Sequence, residues 1–566
     1  MERTQDPTGS RSLNRRQFLV ASATVALTAC SIAPSPSPPA TSGTAAAGSV
    51  NGALPSYIPT TGGPQPEYHS ADSRVTDGFE HYPKNPARSW TKAPPGTGSH
   101  VDVFIPAYYP TPTPYEQNPT WQAVNKQLNS DLQMNIIGQG DYQVKIATLM
   151  AGNDLPDIIH MFGGMLAAPA LPDFLKAKCA DLTPYLGGDA IKDYPNLAAI
   201  PTYAWKNSQC VVDGKLYMWP IQRYLPGLTY FFKNTDIYDA EIGADYVPKD
   251  ADDLLRIFRQ LNQPQNNRWA IGNVAAAPFN FGLLGFASIF GAPNVWGKDS
   301  SGKLVRDRET EAFKAAVGYV RNLWSEGLIW ANAPTATASR PDFAAGRFAL
   351  SVEGFGNSWN DFWRQGLGQN PPQHFDLVPP FSATAGTPPI GYLTGGYIST
   401  NAMKQASADR IRELLRIVDW LAAPFGSQED MLLSYGLEGS DYTLDANGDP
   451  KLTQAGTARA GYVPWRYISQ HPYVQYQPDL PGYSKRSFDA EQVLVRTGVS
   501  NAVSGYYSKT EFSAAGSGAN RAFFDGVNDI ITSRRPFSDY DQLVTDWRTA
   551  AGDQVRAEYT AALSAS

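Results

Sequence analysis

The sequence predicts an α/β fold with two lobes, which hinge crossovers join around a central cleft. From His100 to Met161, apolar strands alternate with amphipathic helices, as in parallel sheets with helical connections. The stretch from Asp213 to Ile242 leaves one strand, breaks at Pro226-Gly227 and resumes as a second apolar run. A chain that passes between two lobes needs such a break, because hinge residues absorb changes of dihedral angle. Residues 99–566 are also too many for a single hydrophobic core.

Residues 1–29 are typical of an export signal. Arginines precede an apolar segment from Phe18 to Leu27, which is too short to stay in a bilayer as a spanning helix. Arg15 and Arg16 resemble the pair of a twin-arginine signal, and the general export route is the alternative. Cys30 follows Leu-Thr-Ala and resembles the lipidated cysteine of a lipobox; a chance cysteine after an apolar run is the alternative. We therefore expect export, with a lipid anchor at Cys30.

Residues 30–98 are predicted to be a lipid-anchored flexible linker followed by an irregular N-terminal segment. Ser31 to Pro66 contains no charged residue and consists mostly of Ser, Pro, Ala, Thr and Gly, which cannot bury a core. Glu67 to Gly98 is rich in proline and lacks periodicity. The folded body should therefore begin near residue 99.

The charge and cysteine content exclude some classes of protein. The formal net charge is −7, and removal of the signal, with four arginines and two acidic residues, makes it −9. An acidic chain of this kind is not expected to bind nucleic acid. After Cys30 the chain contains only Cys179 and Cys210. In an oxidising compartment they could form a disulfide, and two buried free thiols are the alternative.

Hydrophobic periodicity places the main elements of both lobes. In the first lobe we expect strands at 101–105, 134–137 and from 156, a helix at 120–132, and a second helix with Val144, Ala147 and Met150 on its core face. In the second lobe Asp250 should cap a helix with Leu254, Ile257, Phe258 and Leu261 on its core face. Further elements should be helices at 309–326 and 408–421 and a strand at 348–352.

Several stretches resemble the extracellular solute-binding proteins of sugar ABC importers, in particular the large oligosaccharide-binding lipoproteins that include binders of alginate and aldouronate oligosaccharides. They are, in chain order, AGNDLPDIIHM, DGKLYMWPIQRYLPGLTYFFKNTDIYDAEI, RPDFAAGRFALSVEGFGNSWNDF, PPIGYLTGGYIST and YGLEGSDYTLDANGD. The resemblance implies a periplasmic-binding-protein-like fold. It places the N-terminal lobe at 99–222 plus about 388–432, and the C-terminal lobe at about 226–386 plus 433–566.

The resemblance also implies a function. The chain should be a monomeric, lipid-anchored receptor on the extracytoplasmic face of the cell membrane, which captures an oligosaccharide by lobe closure and delivers it to ABC permease subunits. No cofactor is expected. Some larger relatives carry an acidic calcium-binding loop near 263–267, but this sequence has amides there, so no metal site is expected.

Sugar binding predicts aromatic faces and hydrogen-bonding side chains on the cleft loops. Placed by the predicted strands, the substrate-binding candidates are Tyr108, Tyr109, Phe162, Trp219, Arg223, Tyr224, Glu353, Asn357, Trp359, Tyr392, Tyr397, Trp465 and Arg466. Each could instead pack in the hinge, cap a helix or lie on the surface. If Trp219 or Trp359 lines the cleft, its replacement by Ala should weaken binding without unfolding the protein.

The ligand's charge and two rival functions stay open. Arg223, Arg347, Arg364 and Arg466 could pair with uronate carboxylates or be ordinary surface residues, and the acidic net charge slightly favours a neutral sugar. An enzyme is not expected, because the sequence contains no nucleophile elbow, P-loop or dinucleotide fingerprint. A secreted glycan-degrading enzyme would need two facing carboxylates, for which only Glu353 and Glu438 can be nominated. A carbohydrate sensor without a transport role is the other rival.

Overall fold

A computed structural model describes residues 53–162, 170–227, 229–272, 282–332 and 340–565, which belong to one compact unit. The predicted signal with Arg15 and Arg16, the lipidation site Cys30 and most of the linker lie outside the described residues. The same holds for the side chains of Phe162 and Asn357. Among the described helices, none combines the length and apolar character that a membrane span needs.

The first lobe is built on a five-stranded sheet of the described residues. Its strands, from edge to edge, are Asp131–Ile137, His100–Pro106, Ile158–Phe162, Tyr397–Met403 and Met218–Gln222. The first three run parallel, as the alternation of strands and helices predicts, and Tyr397–Met403 runs antiparallel to both of its neighbours. The helices of this part are Pro119–Leu128, Gln139–Ala151, Leu171–Lys178, Thr183–Leu186, Pro195–Ala198, Thr202–Asn207, Ala408–Leu421, Gln428–Tyr435, Gln454–Gly456 and Trp465–Ile468.

The second lobe is built on a four-stranded sheet. The order is Phe375–Leu377, Tyr230–Asn234, Phe348–Glu353 and Trp269–Ile271, of which only the last pair is parallel. Its helices are Thr235–Glu241, Ala251–Leu261, Gly282–Ile289, Glu311–Ser325, Arg340–Ala344, Asn357–Leu367, Tyr483–Thr497, Ala514–Ile531, Tyr540–Trp547 and Asp553–Ser564. The Asp250 side chain accepts a hydrogen bond from the backbone N–H of Asp253 at 2.8 Å, which confirms the predicted helix cap.

Paired segments carry the chain between the two sheets. Residues 223–227 leave the first sheet after Gln222, and residues 392–396 return to it before Tyr397. The Thr394 N–H donates to the Leu225 carbonyl at 2.7 Å and the Gly227 N–H donates to the Tyr392 carbonyl at 2.9 Å. Farther along, residues 469–482 pass from the helix Trp465–Ile468 to the helix Tyr483–Thr497. These hydrogen-bonded passages form the hinge of a two-lobe fold.

The hydrophobic cores follow this division and correct one predicted boundary. The core around the first sheet contains Leu432, Val463, Trp465 and Ile468 together with Val101 and Ile159. Separate clusters surround the second sheet. The segment 433–468 therefore packs with the first lobe, although the predicted boundary assigned residues 433–566 to the second lobe. Its apolar side chains cover the face of the first sheet that also receives Trp219.

Two predictions about the helices of the first lobe are wrong. The helix at 120–132 ends at Leu128, because Asn129 takes a left-handed conformation with φ of 48°, and Leu132 belongs to the next strand. In the helix Gln139–Ala151 the buried residues are Tyr142 and Ile146, whereas Val144 is 71% exposed. Ala147 is also exposed, whereas Met150 is half-buried and packs against the core as predicted.

The irregular N-terminal segment packs on the body. Residues 66–80, here called the strap, contact the hinge and the helix Tyr483–Thr497. The Phe79 N–H donates to the Gln475 carbonyl at 2.8 Å, and the Gln475 N–H donates to the Asp77 carbonyl at 2.7 Å. Val75 packs in a small cluster with Leu225 and Leu393, which belong to the paired hinge segments. The strap is therefore an ordered part of the hinge region.

Candidate functional site

The ends of strands from both sheets meet at the gap between the lobes. In the first sheet Tyr397 pairs with Gln222 and Ser399 pairs with Phe162, so the carboxyl ends of Met218–Gln222 and Ile158–Phe162 lie at the same edge as the amino end of the antiparallel strand Tyr397–Met403. In the second sheet Tyr230 pairs with Glu353. Because residues 223–227 run directly from one edge to the other, loops that follow these strands can contact one ligand from both lobes.

At the first-lobe end of this gap, Tyr108 lies flat on Tyr467. The ring centroids are 3.5 Å apart and the rings are nearly parallel, at 9°. The buried His160 holds Tyr108 in place. His160 Nδ1 lies 2.9 Å from the Tyr467 carbonyl oxygen, which can only accept, so Nδ1 carries a proton and Nε2 accepts from the Tyr108 hydroxyl at 2.7 Å. Burial lowers the pKa of His160 to about 4, so the imidazole is neutral and this arrangement persists near neutral pH.

In the middle of the gap, Arg223 lies between two tyrosine rings. Its guanidinium carbon is 5.7 Å from the ring centroid of Tyr467 and 5.8 Å from that of Tyr473, within the range of cation–π attraction. Nη1 donates to the Gln222 carbonyl at 2.8 Å and to Gln470 Oε1 at 2.6 Å. These contacts fix the half-buried guanidinium at the point where the chain leaves the first lobe.

At the second-lobe end, Tyr224 contacts Tyr473 and Phe355 edge-on, with centroids 5.3 and 5.2 Å apart. The Phe355 N–H donates to the Gly227 carbonyl at 3.1 Å. Gly356 permits this approach, since its φ is +70° and a Cβ there would lie 2.2 Å from the Tyr224 ring. A set of side chains in mutual contact thus extends from lobe to lobe. This set is called the aromatic row below and consists of Tyr108, Tyr467, Arg223, Tyr473, Tyr224 and Phe355.

Tyr109 and Tyr462 lie beside the row and are more accessible. Tyr109 is 50% exposed, and its ring stacks at 18° on that of Tyr462 with centroids 6.3 Å apart. Flat aromatic faces of this kind suit the C–H patches of sugar rings. Among the row itself, burial raises the pKa values of Tyr108, Tyr467 and Tyr473, so these phenols stay neutral and can donate as well as accept hydrogen bonds.

The structure brings only part of the predicted site together. Tyr108, Arg223 and Tyr224 belong to the row, and Tyr109 adjoins it. Tyr392 and Tyr397 line a different cavity between the lobes, of about 440 Å³, and the Tyr392 hydroxyl donates to the Ala292 carbonyl at 2.9 Å.

The predicted tryptophans are core residues, which corrects the expectation that they line the cleft. Trp219 is fully buried, and its Nε1–H donates to the Ile468 carbonyl at 2.9 Å. Trp359 is fully buried in the cluster of Phe232, Phe355 and Tyr483. Trp465 is 1% exposed and packs edge-on against Trp121. Large aromatic side chains next to strand ends were assigned to the gap, but here they seal the cores behind it.

Two of the three predicted charged residues, Glu353 and Arg466, already have a partner of opposite charge. Glu353 is buried and accepts from Arg340 Nε at 3.1 Å, so the carboxylate nominated for glycosidase chemistry is neutralised within its own lobe. Arg466 donates to Ser434 Oγ and lies 3.6 Å from Asp430. Burial alone would raise the pKa of Asp430, but its contact with His471 and the charge of Arg466 lower it to about 2. Asp430 therefore compensates the charge of Arg466 throughout the physiological range.

Sequence reasoning missed His160, Phe355, Tyr462, Tyr467 and Tyr473. Three of them lie in the stretch YVPWRYISQHPYVQY, whose density of aromatic residues was the available signal. That stretch was assigned to the second lobe, and only Trp465 and Arg466 were chosen from it. The chosen residues point into the core or pair with Asp430, whereas the tyrosines around them form the row.

Cys179 and Cys210 are free thiols, so of the two alternatives the structure shows the unbonded one. Both are buried, and burial raises the pKa of each to about 12. Neither thiol is therefore ionised or reactive near neutral pH.

The described part of the chain contains no cluster of three or more His, Cys, Asp and Glu side chains arranged to hold a metal. In the amide loop, Asn266 Nδ2 donates to Gln263 Oε1 at 3.0 Å, which closes the turn with a hydrogen bond between two amides.

Comparison with known proteins identifies similar carbohydrate-binding proteins. Over 449 residues the chain is 21% identical to the polygalacturonan/rhamnogalacturonan-binding protein YtcQ of Bacillus subtilis (strain 168), which covers 77% of this chain and 86% of that relative. The S. pneumoniae ABC-transporter substrate-binding protein FusA, solved with kestose, has a TM-score of 0.58 at 15% identity, over 82% of this chain and 100% of that chain. The alginate-binding protein AlgQ2, solved without calcium ion, has a TM-score of 0.55 at 13% identity, over 84% and 100%.

These structural likenesses show the fold, a two-lobe fold of the periplasmic-binding-protein type. The family follows from the sequence match, since residues 122–438, more than half of the chain, fit the family model of the bacterial extracellular solute-binding proteins. The chain is a member of that family.

Proposed function

We propose that this chain is a lipid-anchored receptor on the extracytoplasmic face of the membrane, which captures an oligosaccharide by lobe closure and delivers it to the permease of an ABC transporter. The aromatic row carries the proposal. It joins residues of both lobes directly beside the hinge, and its aromatic faces, phenols and guanidinium supply the chemistry that sugar rings require.

The relatives support a carbohydrate as the ligand. YtcQ is named as a polygalacturonan/rhamnogalacturonan-binding protein, FusA was solved in complex with kestose, and AlgQ2 is named as an alginate-binding protein. These ligands differ in charge and linkage but are all oligomeric or polymeric sugars. A row of aromatic side chains suits a chain of several rings better than a single small solute.

The position of the row supports the proposal of lobe closure. A sugar that contacts Tyr108 or Tyr109 in the first lobe and Tyr224, which packs against a second-lobe core cluster, gains its full set of contacts only when the lobes approach. Such a ligand binds the closed state more tightly and shifts the population toward it. The permease can then distinguish loaded from empty receptors by the relative position of the lobes. No covalent step is needed.

Anchoring rests on the sequence. The lipobox-like Cys30 precedes a linker without charged residues, which would let the body stand away from the membrane surface. Fractionation of cells with Cys30→Ser should move the protein from the membrane to the soluble extracytoplasmic fraction. If the variant stays with the membrane, the lipid anchor at Cys30 is refuted.

A thermal-shift screen tests the receptor itself. The exported chain with Cys30→Ser is mixed with neutral and uronate-bearing oligosaccharides, and reducing ends are measured in the same samples. A ligand that binds only the folded state must raise the melting midpoint, so a shift with one class and no release of reducing ends is expected. Release of product would support the glycan-degrading enzyme instead, and no shift with any carbohydrate would overturn the proposal.

A further inference from the structure

Arg223 is a cation in the aromatic row without an acidic partner. Among the described residues, no carboxylate oxygen lies within 4.0 Å of its nitrogens. Other arginines near the gap are compensated: Arg340 by Glu353 at 3.1 Å, Arg364 by Asp479 at 2.6 Å, and Arg466 by Asp430 at 3.6 Å. The site therefore keeps one positive charge that its own side chains do not neutralise.

The surroundings of Arg223 make this charge available to a ligand. Nη1 donates to a backbone carbonyl and to the neutral amide of Gln470. The rings of Tyr467 and Tyr473 flank the guanidinium and limit its contact with water. A planar guanidinium held in this way can present two parallel N–H groups to a carboxylate, which an ammonium group cannot do.

We propose that Arg223 binds a carboxylate of the ligand, and that the natural ligand is therefore an oligosaccharide that contains a uronate residue. This inference rests on the proposed receptor function and names the substrate class of the same site. It reverses the preference for a neutral sugar that the acidic net charge suggested, because the charge at the site, and not the total charge, decides which ligand group is stabilised there.

The test compares each sugar as a free acid with its neutral methyl ester. Trimers of galacturonate, mannuronate and guluronate are titrated calorimetrically, in both forms, against the Cys30→Ser chain and its Arg223→Gln and Arg223→Lys variants. For the preferred trimer, Arg223→Gln should weaken binding of the acid about tenfold to a hundredfold but change binding of the ester by less than about threefold. Arg223→Lys should recover part of the loss, because it restores the charge without the bidentate geometry.

Arg347→Gln is the matched control. Arg347 pairs with Asp342 at 3.0 Å and directly precedes the strand Phe348–Glu353, whose other end lies at the gap. Its replacement should leave the affinity for acid and ester unchanged. If Arg347→Gln weakens binding of the acid as much as Arg223→Gln does, the variants act through general electrostatics, and the assignment to Arg223 would be wrong.

The outcomes separate this inference from the receptor function. If neutral oligosaccharides or esters bind as tightly as the acids, or if Arg223→Gln weakens acid and ester equally, the carboxylate assignment fails while the receptor stands. If neither the acids nor a panel of neutral oligosaccharides binds, the receptor function fails as well. Binding of the acid should also weaken with added salt more than binding of the ester.

Discussion

At the scale of single residues, Trp359 belongs to the core of the second lobe and not to the ligand site. Trp359 is 0% exposed and contacts Phe232, Phe355 and Tyr483, so Trp359→Ala should leave a cavity and lower the free energy of unfolding by about 3–5 kcal/mol. Denaturant unfolding followed by circular dichroism measures this change. A stable Trp359→Ala variant with weakened sugar binding would restore the original expectation that this side chain lines the cleft.

Tyr109 provides the comparison for Trp359. Its side chain is half exposed, so Tyr109→Ala should change the free energy of unfolding by no more than about 0.5 kcal/mol. If the accessible pair of Tyr109 and Tyr462 contacts the sugar, the same variant should weaken binding several-fold. Loss of stability without loss of affinity would place Tyr109 outside the site.

Glu491 should make stability depend on pH. Its Oε2 accepts from the Thr76 N–H, from Thr76 Oγ1 and from Gln475 Nε2, and burial raises its pKa from an ordinary 4.5 to about 7. Between these pH values the folded chain holds more protons than the unfolded chain, so the contribution of this group to stability falls as pH rises. The whole contribution of Glu491 to the free energy of unfolding is about 3 kcal/mol, and this contribution is lost as the pH rises through 7.

Glu491→Gln isolates this contribution. An amide stays uncharged at all pH values and keeps an oxygen for the three donors, so the melting temperature of the variant minus that of the wild type should increase from about pH 4 to about pH 8. Asp419, whose pKa burial also raises to about 7, is present in both proteins and cancels. A difference that stays constant with pH would show that folding does not change the pKa of Glu491.

At the scale of elements, the hinge depends on close backbone packing. A Cβ on Gly227 would lie 2.6 Å from the backbone oxygen of Tyr392, so Gly227→Ala must push the paired hinge segments apart. We expect a loss of about 1–3 kcal/mol in stability and a change in sugar affinity of at least several-fold, although Gly227 carries no side chain to bind the ligand. Calorimetric titration and thermal unfolding measure the two effects.

Gly140→Ala is the control for the hinge variant. Gly140 lies in the helix Gln139–Ala151, and nothing lies within 4 Å of the position its Cβ would take. Alanine should be neutral or stabilise that helix by up to about 1 kcal/mol and leave sugar affinity unchanged. If Gly227→Ala behaves in the same way, the hinge tolerates separation of its segments and the packing argument is wrong.

Elements with local signals could be predicted from the sequence. The helix Ala408–Leu421 has the predicted bounds because Ser407 caps it and its apolar positions recur at helical spacing. The helix that was expected to end at 132 ends at Leu128 because the left-handed Asn129 stops it, a conformation that apolar periodicity does not report. The contact between Tyr108 and Tyr467 joins residues far apart in the chain, and no local pattern identifies such a partner.

At the scale of the whole molecule, the candidate site exists only where the two lobes, the hinge and the segment 462–476 meet. Sequence patterns predicted the lobes and the first hinge passage, because parallel strands and a proline-glycine break leave recognisable signals. They did not predict that the segment 433–468 packs on the first lobe, and this packing supplies the Tyr467 side of the row. Three of the five missed residues, Tyr462, Tyr467 and Tyr473, lie in or directly after this misplaced segment, whereas His160 and Phe355 lie elsewhere in the chain.

Lobe closure is the whole-molecule prediction, and the buried cysteines make it measurable. Because Cys179 and Cys210 are buried with pKa values of about 12, spin labels should react selectively with cysteines introduced at exposed positions. Val144→Cys in the first lobe and Gln365→Cys in the second, combined with Cys30→Ser, place one label on each. Saturation with the preferred oligosaccharide should replace the ligand-free distance distribution by a new one in pulsed electron paramagnetic resonance. An unchanged distribution at saturation would mean that the sugar binds between lobes that do not move, and the permease would then have to recognise the ligand or a local loop instead of the closed state.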